Sequence, residues 1–169
     1  IQPKSEQDVI DAIISTSGPI SIGGARYSMG GQIAYPDSLH LDMRKYNQVI
    51  KFDAETKLIT VQTGITWREI QQHIDPHDLS IKIMQDFTNF TVGGALSVNA
   101  HGRPMRDGPI INSVHSIRIV LANGQVYEAS EEENSDLFYG AIGGYGGRGV
   151  ITQATLQLVD NVTIERTVT

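Results

Sequence analysis

Glycine placement constrains this chain more than any other feature. Of its 17 glycines, four lie between positions 23 and 31, four between 93 and 108, and six between 140 and 149. Each cluster adjoins an apolar run rich in β-branched residues. A flexible linker would mix Gly with Ser and have no structured neighbour. Gly-rich loops hung on strands instead imply backbone shaped around something bulky, or, on the plainer reading, tight corners being closed.

Length and composition narrow the classes. A chain of 169 residues suits one domain or two small lobes sharing an interface. Such a chain buries roughly two-thirds of its unfolded surface and needs no disulfide or metal to fold. The absence of cysteine excludes a disulfide scaffold, a thiol nucleophile and a Cys-type zinc site. A net charge of −6 argues against a nucleic-acid binder with a broad basic face. No apolar run is long enough to span a bilayer. No signal peptide is visible, and a start at Ile1 suggests a fragment or processed chain. The compartment is unassigned, with the cytoplasm slightly favoured.

Local signals place most elements. Ser5 with Asp8 reads as a capping box ahead of Val9, Ile10, Ile13 and Ile14 at helical spacing. Gly18-Pro19 stops that helix, and a short strand over 19–22 runs into the first Gly loop. Strands are expected over 38–43, 48–53 and 57–63. Thr66 with Glu69 forms a fuller capping box, stapled by Ile65 and Ile70, for a helix from Trp67 to about His73 that Asp75-Pro76 ends. A strand over 79–84, a short buried helix or turn over 92–98, and a strand over 113–121 follow. Asn123-Gly124 signals a hairpin returning over 125–129. A helix over 135–141, a long strand over 150–159 and a further strand over 162–168 complete the chain. The order gives an α+β fold rather than a doubly wound sheet. Two lobes are expected, 1–75 and 76–169.

Several motifs fail on context. Gly144 to Gly149 satisfies G-x-G-x-x-G, but Val150-Ile151-Thr152 follows where a dinucleotide fingerprint needs a helix. No P-loop occurs. His73 and His77 have a zinc-like spacing, but Pro76 breaks the helix between them, so they read as surface histidines. No metal site and no hydrolase triad can be assembled, and His40 and His115 read as strand residues.

Three segments hold together. Small residues after the first strand, Gly23-Gly24-Ala25-Arg26-Tyr27-Ser28, let successive backbone N–H groups converge on an anion such as a pyrophosphate without lysines. In the second, Asp86 to Gly102, Gly93 and Gly94 allow close approach of a flat ligand or phosphate, while Thr91 and Ser97 supply hydroxyls. The third runs from Asp136-Leu137-Phe138 through Gly143–Gly149 into Val150-Ile151-Thr152.

In this order, over about Ile1 to Val159, the segments resemble the FAD-binding domain of the vanillyl-alcohol oxidase / p-cresol methylhydroxylase (PCMH-type) flavoprotein family. They are most like the branch holding cytokinin dehydrogenase, alditol oxidase and the aldonolactone oxidases. The resemblance implies two α+β lobes with FAD between them. It implies that Gly23, Gly24, Ala25 and Arg26 wrap the pyrophosphate, that Ile22 and Tyr27 beside them also bind the cofactor, and that Ser28 and Gln32 are the polar residues after it. It further implies FAD contacts at Asp86, Thr91, Gly93, Gly94 and Ser97, and a backbone contact at Val150. Tyr27 stands where many relatives carry a histidine bonded to the flavin 8α carbon. A tyrosine-bearing relative acting on decaprenylphosphoryl ribose holds FAD without that bond. Non-covalent FAD is therefore expected, with a tyrosyl link as the minor alternative. His101 is expected near the flavin edge, either tuning it or simply bonded to backbone.

The resemblance also implies a flavin-dependent oxidase or dehydrogenase taking hydride from a CH–OH or similar donor to flavin N5. The base and substrate pocket are expected from a cap domain absent from this chain, so no catalytic residue is assigned and the chain alone is expected to show no turnover. Expected partners are FAD and, through the cap, a small-molecule substrate. Two other readings stay open. One is a non-catalytic flavin-binding module. The other is an NADPH-dependent reductase resembling UDP-N-acetylenolpyruvoylglucosamine reductase, against which Gln32 and the Asp86 to Ser97 spacing weigh.

Overall fold

Helix α1 (Glu6–Ser15) begins where its cap predicts. The Ser5 hydroxyl accepts from the Asp8 amide at 3.1 Å, and the Asp8 carboxylate accepts from the amides of Lys4 and Ser5 at 2.8 and 3.1 Å. These bonds satisfy donors that a bare helix start would leave open. The amide of Lys4, then that of Ser5 with its hydroxyl, hold the Asp8 carboxyl below its ordinary range. Val9, Ala12 and Ile13 form its buried face. The computed structural model of the chain describes residues 1–103 and 105–162.

Strands β1 (Ile20–Gly23) and β2 (Leu39–Asp42) pair in parallel, in a register that sets Ser21 against His40 and Gly23 against Asp42. Helix α1 packs with them in a small core that includes Leu41, Met43, Tyr46, Val120 and Val150. The larger sheet has the order β3-β4-β8-β6-β7, all antiparallel. Its members are β3 (Val49–Asp53), β4 (Leu58–Gln62), β6 (Val114–Val120), β7 (Val126–Ser130) and β8 (Val150–Asp160). The long central β8 buries Ile151, Ala154, Leu156 and Leu158. Alternation of these with polar residues is what a strand covered mainly on one face requires. Helices α2 (Trp67–Ile74), α3 (Val92–Ser97) and α4 (Ser135–Ala141) contribute Trp67, Ile70, Leu96 and Phe138 to the large core. Mixed helix and sheet in this arrangement is the α+β class.

Local expectations held best. Helix α2 has both halves of its capping box, and its staple residues Ile65 and Ile70 are buried. The segment after Thr91 is a six-residue helix. Strand β5 (Leu79–Ile81) is shorter than the expected 79–84. It pairs with β8 only from Leu158 to Asp160, because at Gln157 and Leu156 that strand is already held by β4 and β6. The expected lobe boundary at 75/76 falls inside the larger core, since Ile74 and Leu79 pack into one cluster. The small core joins residues 9–46 with Val120 and Val150, so the two clusters do not part at a single point of the chain. The strand expected over 162–168 lies, beyond Val162, outside the described residues.

A charged clamp ties the small unit to the large sheet. Arg118 on β6 donates to the Glu6 carboxylate at 2.9–3.0 Å, and the Thr152 hydroxyl donates to Glu6 Oε1 at 2.7 Å. Burial works against the Glu6 charge, but the hydrogen bonds from Arg118 and Thr152 outweigh it and hold its carboxyl below the usual range.

Candidate functional site

Between the two units lies a cavity of about 600 Å³, within the several-hundred-Å³ range of cofactor pockets. Its walls are the loop leaving β1, the start of α3 with the residues before it, and the glycine-rich turn leading into β8.

The first loop is held on two sides. A β-carbon on Gly23 would stand 2.7 Å from His40 Cε1. One on Gly24 would overlap the Thr91 hydroxyl. Hydrogen alone fits at both positions. The chain then turns through Arg26, whose φ of 63° lies in the left-handed region. Among the described residues the amides of Ala25, Arg26, Tyr27 and Ser28 have no acceptor. Open successive amides beside a left-handed residue make an anion-binding concavity.

Arg26 is the one charged side chain lining the cavity among the described residues. Its guanidinium is 3.7 Å from the buried Asp42 carboxylate. Asp42 is primarily engaged by Arg44, at 2.8 and 2.6 Å, and by Gln2 at 3.0 Å. Hydrogen bonds from Arg44 hold the Asp42 carboxyl far below its ordinary range, against the opposing effect of burial. Arg26 meets Asp42 only at this longer distance, with its side chain about half exposed. Behind the loop, His40 Nδ1 is 2.8 Å from Ser21 Oγ. Burial, then Arg26, pushes the His40 imidazole below its ordinary pKa.

The α3 side offers less than its glycines suggest. The amides of Val92, Gly93 and Ala95 already donate to the carbonyls of Ile65, Thr63 and Thr91, and that of Gly94 to the Thr91 hydroxyl. Ser97 donates back to Gly93 O at 2.8 Å. Gly93 and Gly94 therefore make a close-approach floor rather than an open row of donors. Apolar wall comes from Ile22, Ala95, Val98 and Ile151, and aromatic wall from Tyr27, Phe90 and Tyr145. Tyr27 and Phe90 rings lie 4.9 Å apart.

Of the residues singled out from sequence, Ile22–Ser28, Gln32, Thr91, Gly93, Gly94 and Ser97 all line this cavity. Asp86 and Val150 do not. Asp86 is exposed, and Arg103 donates to both its oxygens at 2.9 Å. Val150 packs into the small core, while its neighbours Gly149 and Ile151 reach the cavity. His101 is exposed beside its own loop backbone. His73 and His77 both pack their rings on Phe52, at 5.2 and 4.8 Å. Gln85 and Tyr145 line the cavity and were missed. Tyr145 sits inside the recognised third glycine segment, whereas nothing in the sequence near Gln85 marks it.

Comparison with known proteins agrees with this geometry. A family model described as "FAD binding domain" matches residues 1–130. L-gulonolactone oxidase of Bos taurus is 28% identical over 98% of this chain and 38% of its own length. L-galactono-1,4-lactone dehydrogenase 2, mitochondrial, of Oryza sativa subsp. japonica is 31% identical over 95% of this chain and 28% of its own. Cytokinin dehydrogenase 1 of Arabidopsis thaliana is 30% identical over 82% of this chain and 25% of its own. The chain spans well under half of each.

Proposed function

The chain belongs to the FAD binding domain family of flavin-linked oxidoreductases, and from that premise we propose that it is the cofactor-holding part of an oxidase or dehydrogenase acting on a CH–OH or similar donor. One observation carries the reading. A cavity of cofactor size is lined by a single charged residue, Arg26, set beside the open amides of Ala25–Ser28, with apolar and aromatic walls around them. That set fits a diphosphate joined to flat heteroaromatic rings.

When bound, FAD supplies hydride-accepting chemistry at its ring. The residues of this chain bind and orient it. The amides of Ala25–Ser28 and the Arg26 guanidinium hold the diphosphate, while Ile22, Val98 and Ile151 exclude water from the rings. Gly24 and Gly93 let the two walls approach closely. Tyr27 offers no imidazole for a histidyl bond, so the cofactor is held without a covalent link.

Among the described residues no carboxylate or imidazole lines the cavity. In this reading the proton acceptor that such an oxidation needs and the substrate pocket belong to another part of the protein. The isolated chain binds FAD and does not turn over sugar alcohols, lactones or hydroxy acids. Absorption spectra of the purified chain with added FAD, repeated on the supernatant after acid precipitation, test this. Flavin released into the supernatant is the expected result. Flavin kept in the pellet overturns the non-covalent reading, and no uptake overturns the assignment of the cavity.

A further inference from the structure

Gln85 is fixed by a residue that reaches it from another element. Trp67, the first residue of α2, is wholly buried. Its amide donates to Phe90 O at 3.1 Å, and its indole Nε1–H donates to Gln85 Oε1 at 2.9 Å. An indole nitrogen can only donate, so this bond decides which end of the carboxamide turns inward. The oxygen goes to Trp67 and the NH2 group is left over.

Gln85 lines the cavity. Among the described residues its NH2 group has no acceptor in the protein, and no buried side-chain nitrogen or oxygen lacks a partner. The Nε2 hydrogens therefore face open space. The neighbouring wall is aromatic, with Phe90 against Tyr27 and Phe87. The anion-seeking groups, Arg26 and the open amides, belong to the first loop. The two kinds of wall sort the acceptors of the ligand: phosphate oxygens to the loop, uncharged ring acceptors to Gln85.

We propose that Gln85 is a cofactor-contacting residue whose Nε2–H donates to a carbonyl or ring nitrogen of the bound flavin, with Trp67 as its positioning residue. This rests on the FAD reading above. A neutral donor at that ring stabilises the electron density that reduction adds, so Gln85 raises the flavin reduction potential.

The test uses the whole chain and the variant Gln85→Glu. A glutamate keeps an oxygen for Trp67 and removes the donor, which separates the ligand contact from the structural bond. Affinities for FAD and for ADP are measured by titration, the flavin potential by equilibration with a redox dye, and the melting temperature alongside. Expected are about tenfold weaker FAD binding, a lower potential, and unchanged ADP affinity and melting. Gln85→Met, which also strips Trp67 of its acceptor, should add a loss of thermal stability. A Gln85→Glu protein equal to wild type in FAD affinity and potential would sink the assignment and leave Gln85 a structural residue. Equal weakening of FAD and ADP would sink the choice of the ring. Wild-type protein that takes up no FAD would overturn the underlying reading, and this one with it.

Discussion

Gly24 and Thr91 touch so closely that a β-carbon on Gly24 would overlap the Thr91 hydroxyl and lie 3.2 Å from Thr91 Cβ. Thr91 is itself the cap of α3, its hydroxyl accepting from the Gly94 amide. The loop that presents the open amides is thus braced against the helix on the opposite wall. On its other side Gly23 abuts His40. The cavity is shaped by backbone contact, and only glycine permits that contact.

Gly24→Ala should therefore push the loop off α3. Overpacking of this kind typically costs about 1–3 kcal/mol, and FAD affinity should fall with it. The double variant Gly24→Ala/Thr91→Ala should recover part of the loss, because it removes the overlapping oxygen, although the cap bond goes too. Urea denaturation and FAD titration of the single and double variants decide it. Strict additivity would show that the contact has no such role.

What could be read from sequence follows from the range of the forces involved. The caps at Ser5 and Thr66 act over three residues, and α1 and α2 begin where they predict. The first loop is contiguous, so its whole run from Ile22 to Ser28 reaches the cavity together. The pairing of β4 with β8 was not legible, because the partner lies about 95 residues away and no local signal records it. Nor was the choice between Gln85 and Asp86. Gln85 and Asp86 lie in the irregular stretch between β5 and α3, where no periodicity sorts neighbours. Trp67, 18 residues upstream, engages Gln85, while Arg103 engages Asp86. Both partners are set by tertiary structure, and spacing alone selects neither.

Arg26→Met should weaken FAD binding severalfold at low salt and flatten its dependence on ionic strength. The side chain is about half exposed at 49%, so its contribution is screened and amounts to about 1 kcal/mol. Asp42 keeps Arg44 as its partner at 2.6 Å, so thermal stability should change little. Titrations across a salt series are the check. An affinity that stays equally salt-sensitive would mean that another cation meets the phosphates.

Glu6→Gln should cost about 2 kcal/mol near neutral pH, the scale of hydrogen bonds to a charged group. The Glu6 carboxyl is depressed in the folded protein by Arg118 and Thr152, which outweigh the effect of its burial. Its stabilisation is therefore present above the unfolded value, about 4.3, and is lost as pH falls through the lower folded value. Denaturation curves of wild type and Glu6→Gln should differ at pH 7 and converge in acid. A gap that persists in acid would assign the loss to shape rather than charge.

His40 carries linkage of the same sign in a higher pH window. Its folded-state pKa is lowered, first by burial and then by Arg26, with Arg44 acting the same way and Asp42 opposing. The unfolded chain then takes up its proton first, at about pH 6.5. Wild-type stability should begin to decline as pH drops through that value and level off once the folded imidazole is also protonated. His40→Gln removes the step and can still reach Ser21, whose hydroxyl lies 2.8 Å from the imidazole in the native protein. An anion in the first loop would raise the His40 pKa, so bound FAD should shrink the step in the wild type and leave the variant unchanged. Stability measured from pH 5 to 8, with and without FAD, tests both statements. A step of equal size in the His40→Gln protein would assign it to another group.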